Sequence, residues 1–127
     1  ALHEAYTRGE CLVPVFILDD AILDAPDSGA SRVAFLLPTL ESLRKNLELL
    51  GHRLILRHGP PHEELLKLAR AVKADAVFTN RDYEPYAITR DRKVAAALYE
   101  AGVYFESFKD SVIWEGREVL TKVNAPY

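Results

Sequence analysis

Cysteine is all but missing from this chain: Cys11 stands alone among 127 residues. A lone cysteine closes no internal disulfide, so a reducing, cytoplasmic setting is expected. No apolar run approaches the ~18 residues of a spanning helix, and no signal peptide is visible, so no membrane partner is expected. An excess of positive charge is lacking too. Sixteen Lys and Arg against 19 Asp and Glu leave a net charge of −3, which argues against this surface alone binding nucleic acid. Glycine is sparse, at six. None of the six builds a dinucleotide fingerprint, a phosphate loop or a nucleophile elbow. Gly9, Gly51 and Gly102 read instead as helix stops, with Gly9 in a left-handed conformation. Ser, Cys and His form no recognisable triad, and there is no repeat or low-complexity segment. What remains is 49% apolar and 28% charged, ordinary for one soluble domain that buries a core without disulfides or metals.

The chain reads as strands alternating with helices. Residues 1–10 look like the end of a helix entered without a cap or a preceding strand, so the domain reads as truncated at its start. Residues 11–18 are continuously apolar, which suits a strand covered on both faces, as in parallel sheets. Pro14 is awkward there, because it cannot donate to a ladder. Asp19-Asp20 then reads as a turn leading into a solvated loop over residues 20–31. Ser31 is a good N-cap. Val33, Leu36, Leu37, Leu40, Leu43, Leu47 and Leu50 follow at steps of three and four, the mark of an amphipathic helix, with Pro38 expected to kink it or mark its regular start. Further strands are expected at 54–57, 76–79 and 103–108, with helices after Pro60-Pro61 and from Ile88 to Ala101. The tail around Val112-Ile113-Trp114 and Glu118-Val119-Leu120 could form a small hairpin at Gly116. His58 and His62 lie four apart across a Pro-Pro break with no third ligand near, so no metal site is read there.

One connection is richer than topology requires. Asn80-Arg81-Asp82-Tyr83-Glu84-Pro85-Tyr86 hands a buried strand over to a helix, and ligands in open α/β sheets bind outside the carboxyl ends of strands. The alternate carboxylates Asp82 and Glu84 could act as acid and base. They could equally accept hydrogen bonds from a heterocyclic ligand.

These segments resemble a known family. Arg32-Val33-Ala34-Phe35-Leu36, Leu56-Arg57-His58-Gly59, Val15-Phe16-Ile17-Leu18-Asp19 and above all Asn80-Arg81-Asp82-Tyr83-Glu84-Pro85-Tyr86, followed by Arg90-Asp91, are similar to the N-terminal α/β domain of the DNA photolyase/cryptochrome family. The resemblance covers residues 1–127. It implies an α/β fold, a Rossmann-like doubly wound parallel sheet in three layers that here lacks its first strand. It also implies a domain truncated at both ends, the family's Phe-Thr-Pro segment after Tyr127 being absent too. The function implied is that of a light-harvesting antenna domain. Its parent would be a deoxyribodipyrimidine photo-lyase, which repairs cyclobutane pyrimidine dimers with light. FAD and DNA would be bound by a separate C-terminal helical domain. Asp82 and Glu84 match positions that hold a deazaflavin ring, Arg32 matches a contact to the same chromophore, and Ile17, Leu18 and Asp19 match the strand end lining its pocket. Asp82 and Glu84 are thus expected to face one pocket with Leu18, Asp19 and Arg32. The folate type uses an Asn-Glu pair where Tyr86 and Ala87 stand here, which favours deazaflavin over folate.

In the family's sheet the first strand is central. Without it, residues 12–18 and 76–79 should flank a slot about 9–10 Å wide. Omission of residues from the sequence ranks first as its resolution, insertion of a strand by another chain second, and direct pairing of the two strands last. Other readings of the whole chain are a cryptochrome-type light sensor, a stand-alone adenine-nucleotide binder of the stress-protein-like type, or an interaction domain with an empty pocket.

Overall fold

The structure is a computed structural model that describes residues 1–24 and 30–110, without the side chains of residues 30–33. Its elements run α1 (Leu2–Arg8), β1 (Val15–Leu18), α2 (Asp20–Leu23), α3 (Ala30–Leu49), β2 (Ile55–His58), α4 (Pro61–Val72), β3 (Ala76–Asn80), α5 (Pro85–Glu100) and β4 (Tyr104–Phe108). The proposed tail hairpin lies outside the described residues.

Local chemistry moves several boundaries from where the sequence pattern puts them. β1 starts at Val15 because Pro14 has no N–H to give; its carbonyl instead accepts from the Ile55 N–H at 2.9 Å. α5 starts at Pro85, three residues earlier than expected, since proline suits the first helical position. α3 starts at Ala30, so Ser31 lies inside the helix rather than capping it. The segment expected as plain loop holds α2, and Asp19, expected in a solvated turn, is only 7% exposed. Gly51 and Gly102 do end α3 and α5 with positive φ, at 81° and 72°. Gly9 differs, with an extended backbone at φ −102°. Glycine is needed there because a Cβ would stand 2.9 Å from the Ala5 carbonyl oxygen. α4 ends at Lys73, left-handed at φ 54° with no glycine to signal it.

The strands pair in parallel, β1 with β2 (Val15 opposite Ile55) and β3 with β4 (Ala76 opposite Tyr104). α3 covers the first pair: Leu40, Leu47 and Leu54 are buried, with Phe16, Leu18 and Leu36 packed against them. α4 and α5 cover the second pair through Ala69, Val94 and Leu98, backed by Leu65, Val77, Val103 and Phe105. Side chains alternate along a strand, so Phe78 lies on the face opposite Val77. There α1 docks, with the Arg8 guanidinium over the Phe78 and Phe108 rings and 2.6 Å from Glu106. The Tyr6 ring meets His52 edge-on, which puts α1 on the α3 side. The result is the expected α/β arrangement with helices on both faces.

Among the described residues, β1 and β3 share no ladder, and the sheet is two half-sheets, β1-β2 and β3-β4. Residues 13–15 and 76–80 line the same cavity of about 750 Å³, closed by α1 and by Leu65, Leu68, Ala69 and Val72 of α4. Among the described residues the two strands therefore flank a shared space and do not pair with each other.

Candidate functional site

The carboxyl end of β1 carries two neighbouring carboxylates, both engaged by other parts of the fold. Asp19 follows β1 directly and caps α2, its Oδ1 accepting from the Ala21 N–H at 3.1 Å. Its Oδ2 accepts from the Tyr86 hydroxyl at 2.5 Å, the range of a charge-assisted O–H to carboxylate bond. A buried carboxylate needs such donors to offset lost hydration. Asp20, the next residue, turns the other way. Its Oδ1 lies 2.6 Å from His58 Nε2 at the end of β2, with both side chains more than half exposed. Burial, then the bond to Asp19, pushes the Tyr86 phenol up to about 12. Tyr86 is 41% exposed as a residue, and its hydroxyl lies against the buried Asp19.

The acidic loop is held at both of its ends. Behind it, Tyr86 in the first turn of α5 reaches Asp19. Ahead of it, the Arg81 N–H donates to the Phe108 carbonyl at 2.8 Å, and the Arg81 guanidinium donates to the Ser107 carbonyl at 2.7 Å and to Ser107 Oγ. Between them Asp82, Tyr83 and Glu84 are exposed. The Glu84 N–H donates to Asp82 Oδ1 at 3.3 Å, and Glu84 stands at the N-cap of α5 without a side-chain capping bond.

The sequence-selected residues thus fall into three groups. Asp82 and Glu84 stand on the loop with their carboxylates toward solvent, and Asp19 shares their edge through Tyr86. Ile17 and Leu18 sit in β1 opposite Arg57 and His58, and Leu18 packs into the α3 cluster. Arg32 lies in the first turn of α3, and its side chain is outside the described residues. Sequence reasoning gave Tyr86 no role as a donor and left His58 without a partner. The signal for Tyr86 was its place one turn into a helix, beside a strand end carrying two aspartates. The arrangement as a whole is a row of carboxylates at a sheet's carboxyl edge, with Asp82 and Glu84 exposed and both oxygens of Asp19 engaged within the fold. Among the described residues no group of His, Cys, Asp and Glu could hold a metal ion. No helix among them is long and apolar enough to cross a membrane.

The DNA photolyase family model matches residues 1–127. The chain belongs to the DNA photolyase family. A deoxyribodipyrimidine photo-lyase from a Synechococcus strain is 36% identical over 126 residues, 99% of this chain and 26% of that protein. The crystal structure of a bacterial class III photolyase from Agrobacterium tumefaciens superposes with a TM-score of 0.89 at 30% identity, over 100% of this chain and 26% of that one. An archaeal photolyase from Sulfolobus tokodaii, solved with two FAD molecules and described as implying a novel light-harvesting cofactor, gives a TM-score of 0.77 at 26% identity. It covers 87% of this chain and 27% of its own. The chain spans about a quarter of the length of these photolyases.

Proposed function

We propose that this chain is the antenna domain of a photolyase, binding a light-harvesting chromophore of the deazaflavin type at the carboxyl edge of its strands. The observation that carries this reading is the Tyr86–Asp19 bond, which draws the acidic loop and the end of β1 into one edge. Asp82 and Glu84 accept hydrogen bonds from the ring system, Ile17, Leu18 and Asp19 form the strand-end wall, and Arg32, in the first turn of α3, is assigned to the same chromophore. Within the whole protein, a C-terminal domain carries FAD and the DNA, and light drives repair of cyclobutane pyrimidine dimers. A cryptochrome-type light sensor would use this domain in the same way.

The two FAD molecules of the Sulfolobus tokodaii protein support a second reading, a flavin in place of the deazaflavin. Titrating the protein with a deazaflavin, a reduced folate and FAD, followed by absorption and fluorescence, separates the three. Saturable binding is expected for the deazaflavin and is weakened in Asp82→Ala. Absence of saturable binding by any of them overturns the antenna reading.

A further inference from the structure

We infer that Tyr86 is a positioning residue: through the buried carboxylate of Asp19, it sets where the acidic segment of residues 82–84 stands at the strand edge. This deepens the antenna reading and rests on it for the ligand arm of the test alone. The segment is tied to both half-sheets. Arg81 ties its front to Ser107 and Phe108 on β4. Tyr86 ties its rear to Asp19 at the end of β1. Tyr86 is 41% exposed as a residue, so the hydroxyl bond to the buried Asp19 is a specific anchor beyond its packing. Asp19 is a firm post, because it is 7% exposed and its other oxygen is already engaged by the Ala21 N–H. Pro85, between Glu84 and Tyr86, has a φ locked by its ring, so a displacement of Tyr86 passes to Glu84 with little slack. The internal bond of the segment, from the Glu84 N–H to Asp82 Oδ1, is long at 3.3 Å and does not hold it by itself. The distance between the half-sheets therefore also sets the geometry of the acceptors.

The test compares wild type with Tyr86→Phe, which removes the hydroxyl and keeps the ring, and with Asp19→Asn, whose amide oxygen still accepts from Tyr86 without charge. Amide hydrogen exchange is followed by NMR on the ligand-free protein. Exchange at the Glu84 amide, which donates to Asp82, is expected to rise by up to about tenfold in Tyr86→Phe, the scale of one charge-assisted bond, and by less in Asp19→Asn. The Ile55 and Tyr104 amides, bonded to the Pro14 and Asp75 carbonyls, serve as references and should not change. A uniform rise that includes these references, or no rise at Glu84, overturns the inference. Deazaflavin affinity is read in parallel and should fall about tenfold in Tyr86→Phe. Faster loop exchange with unchanged affinity upholds the positioning role and counts against the chromophore reading.

Discussion

At the residue scale, a pair of acids on alternate positions of a strand-to-helix loop is legible in the sequence itself, because carboxylates at a sheet's carboxyl edge have a short list of uses. The role of Asp19 is not. Asp-Asp after a strand reads as a solvated turn, and only the fold brings Tyr86 from 67 residues away to bury one of the pair. Asp82→Ala should weaken chromophore binding by roughly 1.5–3 kcal/mol, the worth of a hydrogen bond to a charged group. The fold should stay intact, since Asp82 is exposed and its one bond is local. Fluorescence titration and denaturant unfolding read the two effects separately, and equal affinity in mutant and wild type would remove Asp82 from the site. The Tyr86 phenol gives a pH signature. Its folded value of about 12 lies above the ordinary 10.0, so the bond to Asp19 contributes fully below pH 10 and is lost as pH climbs through about 12. Alkaline titration of tyrosine absorbance should show this late step in wild type and an earlier one in Asp19→Asn. Tyr104, raised by its bond to Glu106, should titrate late in both.

At the element scale, periodicity found the helices and misjudged their ends and faces. The leucine ladder of α3 reads as one apolar face, yet Leu40 and Leu47 are buried while Leu37, Leu43 and Leu50 are exposed. Steps of three and four drift around a helix of 3.6 residues per turn, and a half-sheet of two strands is too narrow to cover the whole arc. Pro14 and Pro85 were visible in the sequence, but which way each would move a boundary depended on the neighbouring ladder and cap. Two glycines that look alike as helix stops should respond to alanine for different reasons. At Gly51 nothing crowds a Cβ, but φ is +81°, so Gly51→Ala should cost about 1–2 kcal/mol from backbone strain alone. At Gly9 φ is ordinary and the added Cβ would press on the Ala5 carbonyl at 2.9 Å. Gly9→Ala should therefore loosen the end of α1 and leave the two buried clusters unaltered. Denaturant unfolding should register the first change. Amide exchange at Gly9, whose N–H is bonded to Ala5, should register the second.

At the scale of the whole molecule, the alternation of strand and helix made the α/β class legible. The order of the strands came from resemblance alone, because nothing in an apolar run says which neighbour it will pair with. The split between the half-sheets makes a residue-by-residue forecast. The Pro14 and Leu18 carbonyls face β2, and the Asp75 carbonyl and Arg81 N–H face β4. Parallel ladders alternate direction along the strand, so the backbones of Val15 and Ile17, and of Ala76, Phe78 and Asn80, turn into the slot. Their amides should exchange faster than those of Phe16, Leu18, Val77 and Thr79; equal protection in both sets would mean that the slot is bridged in solution. The same split bears on how the molecule melts. Each half-sheet has its own buried cluster, one built on Leu40, Leu47 and Leu54 and the other on Ala69, Val94 and Leu98, and among the described residues no ladder joins the two. Cooperativity is a property of shared contacts, and units that share few of them open separately. In a calorimeter the van 't Hoff enthalpy should then fall short of the total heat absorbed, with the half under α3 melting as one event and the half under α4 and α5 as another.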